Sequence, residues 1–242
     1  MATRAPRSPG ELMQEQTYYP SVDSWLRRQA GCFATGMNCG TRLARADVVG
    51  IRHTGGDLAT DYELIAIEVK TDEPFFRSIS QAAGYSVFAH RCYLADYQRG
   101  SRGFTREELE IALSLGVGLL KIRSRQTVEE CLSAPARPAK QRFVRQMMES
   151  IGLSECVLCR GPFQGTYKAG VKRADVSDVR AMLLKALRAS ADGRATGFLY
   201  WSQSALGMKS AAGDGRRNTA RRYICPDCLQ NVVGPLLGDP HS

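Results

Sequence analysis

Hydrophobic residues in the N-terminal half of the chain recur with two different periods. Residues 46–52 and 62–70 are rich in β-branched side chains, which is typical of strands. Residues 73–91 open with Glu and Pro and place apolar side chains at helical spacing, which predicts an amphipathic helix. The same criteria predict helices over 18–31 and 105–116, strands over 92–97 and 117–123, and a strand or turn over 32–40. This alternation predicts an α/β fold in which helices cover a mixed sheet.

A stretch rich in Pro and Ala, at residues 133–140, predicts a linker. Beyond it the pattern predicts a helix near 140–151, a long helix over 175–190 and an aromatic strand over 197–201. We therefore expect three parts, which are a disordered arm (1–14), an α/β domain (15–137) and a small α+β module (138–242).

The composition is that of a globular protein, with 43% hydrophobic and 24% charged residues. The sequence predicts no transmembrane helix, because no apolar run reaches the length that a bilayer requires. The first ten residues carry arginines without a following apolar segment, so we do not expect a secretory signal. A cytoplasmic location follows as the expectation, and there the eight cysteines would be reduced or bound to metal.

The net charge of +9 is concentrated in the second part of the chain. Residues 1–140 hold 18 Lys and Arg against 16 Asp and Glu, whereas residues 141–242 hold 15 against 8. A basic surface attracts phosphate backbones, so the C-terminal part is the stronger candidate for contact with nucleic acid. A generally basic surface without a specific partner is the alternative.

Three of the charged residues in the two strands that precede the 73–91 helix form a candidate site. Asp47 opens the first strand, Glu68 lies near the end of the second, and Lys70 follows Glu68 on the same face. Two converging carboxylates bind a hard cation such as Mg²⁺ or Mn²⁺. A neighbouring ammonium can orient or activate water, or steady the charge of a phosphate. Glu-x-Lys alone is weak evidence, since it occurs by chance about once in a chain of this length.

Gln81 and Tyr85 lie four residues apart on the predicted helix and so share one face. Together with Asp47, Glu68 and Lys70 they resemble the motif of the PD-(D/E)XK nuclease superfamily. The resemblance is to the restriction-endonuclease-like fold, particularly its RecB-like and Holliday-junction-resolvase-like branches. It covers roughly residues 15–135, and the succession of helices and strands agrees with it.

This resemblance implies a Mg²⁺- or Mn²⁺-dependent deoxyribonuclease. Asp47 and Glu68 would hold the cation, Lys70 would position or activate the attacking water, and Gln81 would orient Lys70 or the phosphate. The residue before the aspartate is Ala46 where many members have Pro, a position that varies.

Many members of this superfamily also place an acidic residue of the first helix near the metal. Asp23 is the first candidate for that position and Glu15 the second.

Each motif residue also has an ordinary structural reading. Asp47 can cap a strand, Lys70 can be an edge charge, and Gln81 and Tyr85 can lie on a solvated helix face. A second class of function therefore stays open, in which a catalytically inactive nuclease fold binds nucleic acid or serves as a scaffold in a larger complex.

Four cysteines form two Cys-x-x-Cys pairs, Cys156 with Cys159 and Cys225 with Cys228. This spacing aims two thiolates at one tetrahedral Zn²⁺, so the two pairs predict one structural zinc site. The 65 intervening residues are far more than a compact zinc ribbon contains. A redox-active Cys-x-x-Cys is the alternative.

Between the pairs lies a Gly-rich basic segment, 208–222, which we interpret as a flexible loop that contacts phosphates. A solvated loop without a partner is the alternative. The basic residues of this segment are Lys209, Arg216, Arg217, Arg221 and Arg222. The expected partner is nucleic acid, most of all DNA, with no membrane; a homodimer or a protein partner stays open.

Overall fold

The chain divides into two compact units, residues 1–151 and 152–242. The computed structural model describes residues 15–40, 45–55, 61–97, 103–156, 158–164, 184, 187, 198–201 and 221–237. The statements that follow concern these residues. The N-terminal arm at 1–14 lies outside them.

The first unit is built on a six-stranded mixed sheet with the strand order β1-β2-β3-β4-β5-β6. Strands β3, β4 and β5 are parallel to one another, and the other neighbouring pairs are antiparallel. The elements are α1 (Tyr19–Arg28), β1 (Ala34–Gly40), β2 (Arg45–His53), β3 (Tyr62–Lys70), α2 (Phe75–Gly84), a 3₁₀ turn (Tyr85–Val87), β4 (Arg91–Asp96), α3 (Arg106–Leu115), β5 (Gly118–Ile122), β6 (Val128–Leu132) and α4 (Gln141–Ser150).

Helices cover both faces of this sheet, which confirms the predicted α/β class. Successive residues of a strand point to opposite faces. On β4, accordingly, Tyr93 packs with Trp25 and Leu26 of α1, whereas Leu94 packs with Ile79 of α2. Both clusters are buried, so the central strands are apolar on both sides.

Of two predicted helices, α3 begins where the sequence predicted, whereas α2 ends earlier than predicted. Helix α3 begins with a capping box, in which the Thr105 hydroxyl accepts from the Glu108 N–H and the Glu108 carboxylate accepts from the Thr105 N–H. The helix predicted over 73–91 is shorter, because α2 ends at Gly84 and a 3₁₀ turn leads to β4. Glycine favours a helix end, and the chain must leave the helix to enter the strand.

The edge strand β6 was not predicted. Its sequence, Val-Glu-Glu-Cys-Leu, places three exposed residues in a row and has no alternating pattern. It forms because β5 presents an unpaired edge to which it adds in antiparallel orientation.

The division between the units follows Ile151, whereas the linker had predicted a boundary at residue 137. Helix α4 packs against β1, and a side chain on Gly36 would collide with Ile151. The buried face of α4, with Val144 and Met147 fully covered, holds this helix in the first unit.

The second unit contains two short hairpins and a series of helical turns. Its described elements are β7 (Leu153–Glu155), β8 (Pro162–Gln164), β9 (Phe198–Trp201), β10 (Arg221–Ile224) and the turns Pro226–Cys228, Leu229–Val233 and Gly234–Leu237. Strand β9 agrees with the predicted aromatic strand. Of the long helix predicted over 175–190, only Leu184 and Leu187 are described, and both are helical. In the described part of the chain no helix has the length and apolar character to cross a bilayer.

Candidate active site and cysteine cluster

The register of strands β2 and β3 brings the two predicted carboxylates together. Val48 pairs with Ile67, and one step further along the same register Asp47 lies opposite Glu68. The Glu68 charge acts directly on Asp47. The antiparallel pairing therefore produces the convergence that the spacing of these two residues predicted.

Lys70 is fully buried and is surrounded by carboxylates. Its Nζ lies 2.6 Å from Glu68 Oε1, 3.4 Å from Glu15 Oε1 and 3.9 Å from Glu73 Oε2. We call Glu15, Asp47, Glu68, Lys70 and Glu73 the carboxylate–lysine cluster. With every group ionised it carries one positive and four negative charges, an excess that a divalent cation would offset.

Two tyrosines position the carboxylates of this cluster. The Tyr19 hydroxyl donates to Asp47 Oδ1 over 2.7 Å, and the backbone N–H of Val69 donates to Oδ2 over 2.8 Å. The Tyr85 hydroxyl lies between Glu68 Oε2 and the carbonyl oxygen of Arg45, which is 2.9 Å away. Tyr19 was missed in the sequence, where it was assigned only to the helix predicted over 18–31.

Of the two acidic residues expected near the first helix, Glu15 lies at the cluster, whereas Asp23 does not. The Asp23 carboxylate pairs with Arg27 one turn along α1, at 3.0 Å between Oδ2 and Nε. Glu15 precedes α1 and is buried against Lys70. Helix α1 packs on the sheet through Val22, and the neighbouring Asp23 is not part of that buried face.

Gln81 lies on α2, half-buried, one turn before Tyr85. The two residues therefore occupy the same side of this segment, as predicted, although Tyr85 itself belongs to the following 3₁₀ turn. Tyr85 reaches the cluster directly through Glu68.

Burial and nearby negative charge raise the pKa values of two aspartates at this end of the sheet. Burial, followed by the nearby Glu68 carboxylate, raises the pKa of Asp47 to about 7. Burial, with Glu108 and Asp72, raises the pKa of Asp96 to about 7 as well. Asp96 pairs with Lys70 in the register of β3 and β4, so the excess of negative charge extends to the next strand.

We expect Asp47→Asn to make the protein more stable at pH 8 without added Mg²⁺ or Mn²⁺, by several degrees in Tm. The folded state holds the Asp47 proton more tightly than the unfolded chain, in which an aspartate titrates near 3.9, about three units lower. The stabilisation of the folded state that comes from binding this proton is fully present below about pH 4. It is lost as the pH rises through about 7. Asparagine keeps partners for Tyr19 and Val69 without the charge.

The measurement is thermal unfolding between pH 4 and pH 8 without added Mg²⁺ or Mn²⁺ and without a chelator, so that the cysteine cluster keeps any bound metal. Asp23→Asn is the matched control, because Asp23 forms only a partly exposed pair within α1. Wild-type and Asp47→Asn curves that run parallel across this pH range would contradict the assignment.

The carboxylates of Asp47 and Glu68 are compatible with a Mg²⁺ site in which the protein supplies few of the ligands. Each of the four carboxylate oxygens of Asp47 and Glu68 has a contact within the protein. Mg²⁺ is commonly held by one or two carboxylates, with the remaining ligands from water and substrate phosphate. In the described part of the chain, the carboxylates do not converge as a group of three ligands.

The four cysteines of the paired motifs come together in the second unit. The sulfur atoms of Cys156, Cys159, Cys225 and Cys228 all lie within 4.8 Å of one another, and those of Cys159 and Cys225 are 3.8 Å apart. Tetrahedral Zn²⁺ with bonds of about 2.3 Å places its sulfur ligands about 3.8 Å apart. The cluster could hold a metal ion, and the predicted pairing of the two motifs is confirmed.

Backbone donors surround these sulfurs. The Cys225 N–H donates to Cys156 Sγ over 3.3 Å, and the Cys228 N–H donates to Cys225 Sγ over 3.4 Å. Burial alone would raise the pKa of the Cys156 thiol, but backbone N–H groups, first that of Cys225, hold it below its ordinary value. Burial raises the pKa of Cys228 to about 11, so full deprotonation of the cluster would require a bound cation.

The predicted phosphate-binding loop is only partly described. Lys209, Arg216 and Arg217 lie outside the described residues. Arg221 and Arg222 belong to strand β10, where they pair with Trp201 and Tyr200 of β9. The loop prediction is therefore wrong for these two positions, because pairing with the aromatic strand orders their backbone.

Comparison with known proteins finds a similar solved structure but no matching family or curated sequence. The sequence matches no protein-family model and no curated protein sequence. The structure is similar to that of SPO1766, a protein of unknown function from Silicibacter pomeroyi, with 22% sequence identity and a TM-score of 0.41. The match covers 57% of this chain and 82% of that chain. A TM-score this low does not establish a shared fold.

Proposed function

We propose that this protein is a Mg²⁺- or Mn²⁺-dependent nuclease that hydrolyses phosphodiester bonds in DNA. The observation that carries the proposal is the fully buried Lys70, 2.6 Å from Glu68, with Asp47 beside Glu68 at the same end of the sheet. These are three of the five residues on which the resemblance to PD-(D/E)XK nucleases rests. The two others, Gln81 and Tyr85, lie on the adjoining α2 segment.

The order of elements supports a restriction-endonuclease-like fold for the first unit. Strands β2 and β3, helix α2 and the parallel strands β4 and β5 follow one another as the resemblance implies. The sheet is mixed and has helices on both faces. The active-site residues come from the start of β2, the end of β3 and the segment after α2, so one supersecondary unit would carry the chemistry.

The energetics of the cluster also favour a functional role. A buried ion pair contributes little to net stability, and well-packed apolar side chains of similar volume often replace it without loss. Here one ammonium lies within 4 Å of three carboxylates, so Lys70 alone cannot neutralise them. Groups with strongly shifted pKa values concentrate at functional sites, and Asp47 is such a group.

The residues have distinct roles in this proposal. Asp47 and Glu68 bind the cation, which when bound neutralises phosphate charge and supplies an activated water. Lys70 donates to a phosphate oxygen or holds the attacking water, and its position is set by Glu68. Tyr19 and Tyr85 hold the two carboxylates in place, so little reorganisation is required on binding.

We further propose that the second unit is a zinc-stabilised module that contributes affinity for nucleic acid. The arrangement of four sulfurs suits Zn²⁺, and four protein ligands leave no open coordination position for catalysis. The surplus of Lys and Arg over Asp and Glu in residues 141–242 suits a phosphate backbone.

The test is incubation with end-labelled single-stranded, duplex and branched DNA and with RNA, in Mg²⁺, Mn²⁺ or EDTA. We expect products only with a divalent cation, and at least one DNA form cleaved faster than RNA. Glu68→Gln is the matched control, because it keeps the shape of the side chain and removes the charge. Cleavage by the Glu68→Gln protein would mean a contaminating nuclease. Binding without cleavage of any substrate would favour the inactive, nucleic-acid-binding alternative.

A further inference from the structure

A polar cavity of about 340 Å³ opens at the end of the β1–β2 hairpin. Its lining comes from β1, from the first residue of β2 and from the end of α4. The lining residues are Met37, Asn38, Cys39, Gly40, Arg45 and Ser150. None of them belongs to the motif on which the proposed function rests.

The strand register places this cavity next to the carboxylate–lysine cluster. Met37 pairs with Val48 and Cys39 with Ala46, so Asn38 lies opposite Asp47. Arg45 precedes Asp47 by two residues and therefore lies on the same face of β2. The Tyr85 hydroxyl joins the two regions, because it contacts both the Arg45 carbonyl oxygen and Glu68.

The charge of the cavity lining is positive. Arg45 is the one formally charged residue among the six, and it is exposed. Its Nε donates to the carbonyl oxygen of Asn38 over 3.0 Å. Asn38 itself has a left-handed backbone conformation (φ 58°). The bond to Asn38 occupies one of the five N–H donors of the guanidinium, and among the described residues the other four have no hydrogen-bond partner, so they can meet an anion.

The other lining residues are compatible with the parts of a nucleotide other than its phosphate. Met37 is 50% exposed and offers a polarizable apolar surface. Ser150 and Cys39 also line the cavity, and the Ser150 hydroxyl, which already donates to the Met147 carbonyl oxygen over 2.7 Å, can still accept a hydrogen bond from a ligand. A volume of about 340 Å³ is near the lower end of small-molecule sites, large enough for one nucleotide and too small for a base pair.

We propose that this cavity binds one nucleotide of the substrate strand adjacent to the scissile phosphate, with Arg45 on its phosphate group. The inference rests on the proposed nuclease function and deepens it. The substrate strand would run from the carboxylate–lysine cluster over Arg45, and the nucleotide in the cavity would be unpaired. The enzyme would therefore prefer single-stranded DNA or the single-stranded part of a branched substrate.

The test measures binding of a fluorescein-labelled single-stranded oligonucleotide, without added Mg²⁺ or Mn²⁺ and without a chelator, over a range of NaCl concentrations. We expect Arg45→Gln to weaken binding several-fold and to lower the slope of log affinity against log salt by about 0.7, the value for one phosphate contact on a single strand. Arg45→Lys should restore the slope. Arg28→Gln, which removes an exposed arginine of α1, is the matched control and should change neither quantity.

A second variant addresses the cavity itself. Ser150→Phe narrows the space without removing a charge, so we expect weaker binding with an unchanged salt slope. In cleavage assays Arg45→Gln should raise KM for single-stranded DNA more than it lowers kcat. Circular dichroism of each variant confirms that the sheet is folded.

The outcomes separate this inference from the proposed function. A wild-type protein that cleaves DNA while Arg45→Gln binds like Arg28→Gln would overturn the cavity assignment alone. A wild-type protein that cleaves nothing, with the slope change present in Arg45→Gln, would overturn the nuclease proposal and leave a nucleotide-binding cavity. Equal affinity for single-stranded and duplex DNA would contradict the unpaired nucleotide.

Discussion

Replacing Lys70 with methionine is expected to abolish phosphodiester cleavage, with a loss of about three orders of magnitude in kcat. Methionine has nearly the length of lysine and suits a fully buried position, but it cannot donate to a phosphate or hold a water. The measurement is single-turnover cleavage of the best DNA substrate at saturating Mg²⁺. Cleavage at the wild-type rate by a folded Lys70→Met protein would exclude the proposed active site.

The stability of this variant requires its own control. Removing the ammonium leaves Glu15 and Glu68 without their counter-charge, and breaking a buried pair in this way costs about 3 to 5 kcal/mol. Adding Glu15→Gln removes one of the surplus carboxylates, so the double variant should regain part of that free energy of unfolding. The double variant should remain inactive. An inactive but stable protein would then locate the effect of Lys70 in the chemistry and not in the fold.

Removal of metal from the cysteine cluster is expected to unfold the second unit and to leave the first unit folded. Structural zinc contributes on the order of 10 kcal/mol to the folding of small domains. All four ligands, from Cys156 to Cys228, lie in the second unit. Chelation or Cys225→Ser should therefore remove the protease resistance of residues 152–242 and weaken DNA binding, whereas the first unit keeps its circular dichroism signal.

Metal analysis supplies the stoichiometry for this prediction. Four thiolates complete one tetrahedron, so the purified protein should contain about one zinc per chain. Cys131→Ser is the control, because Cys131 is exposed and lies on β6 outside the cluster. A preparation without metal, or a disulfide within either Cys-x-x-Cys pair, would contradict the assignment.

Features that depend on near neighbours in the chain were accessible from the sequence. The β-branched runs predicted β2 and β3, and the Thr105–Glu108 pair marked the start of α3. The approach of Asp47 to Glu68 also followed, because an antiparallel hairpin has few registers and a slip by one residue would expose its apolar face. The pairing of the two Cys-x-x-Cys motifs rested on the fixed geometry of zinc ligation.

Other features were decided only by tertiary packing. The rotation of α1 on the sheet determines that Tyr19 meets Asp47 and that Asp23 does not reach the cluster, and no local pattern encodes that angle. The same holds for Glu15, which reaches Lys70 from a position 55 residues earlier. Helix α4 joins the first unit because its apolar face fits β1 at Gly36. Periodicity along a chain reports which face is buried, whereas the partner of that face is chosen by shape and volume in three dimensions.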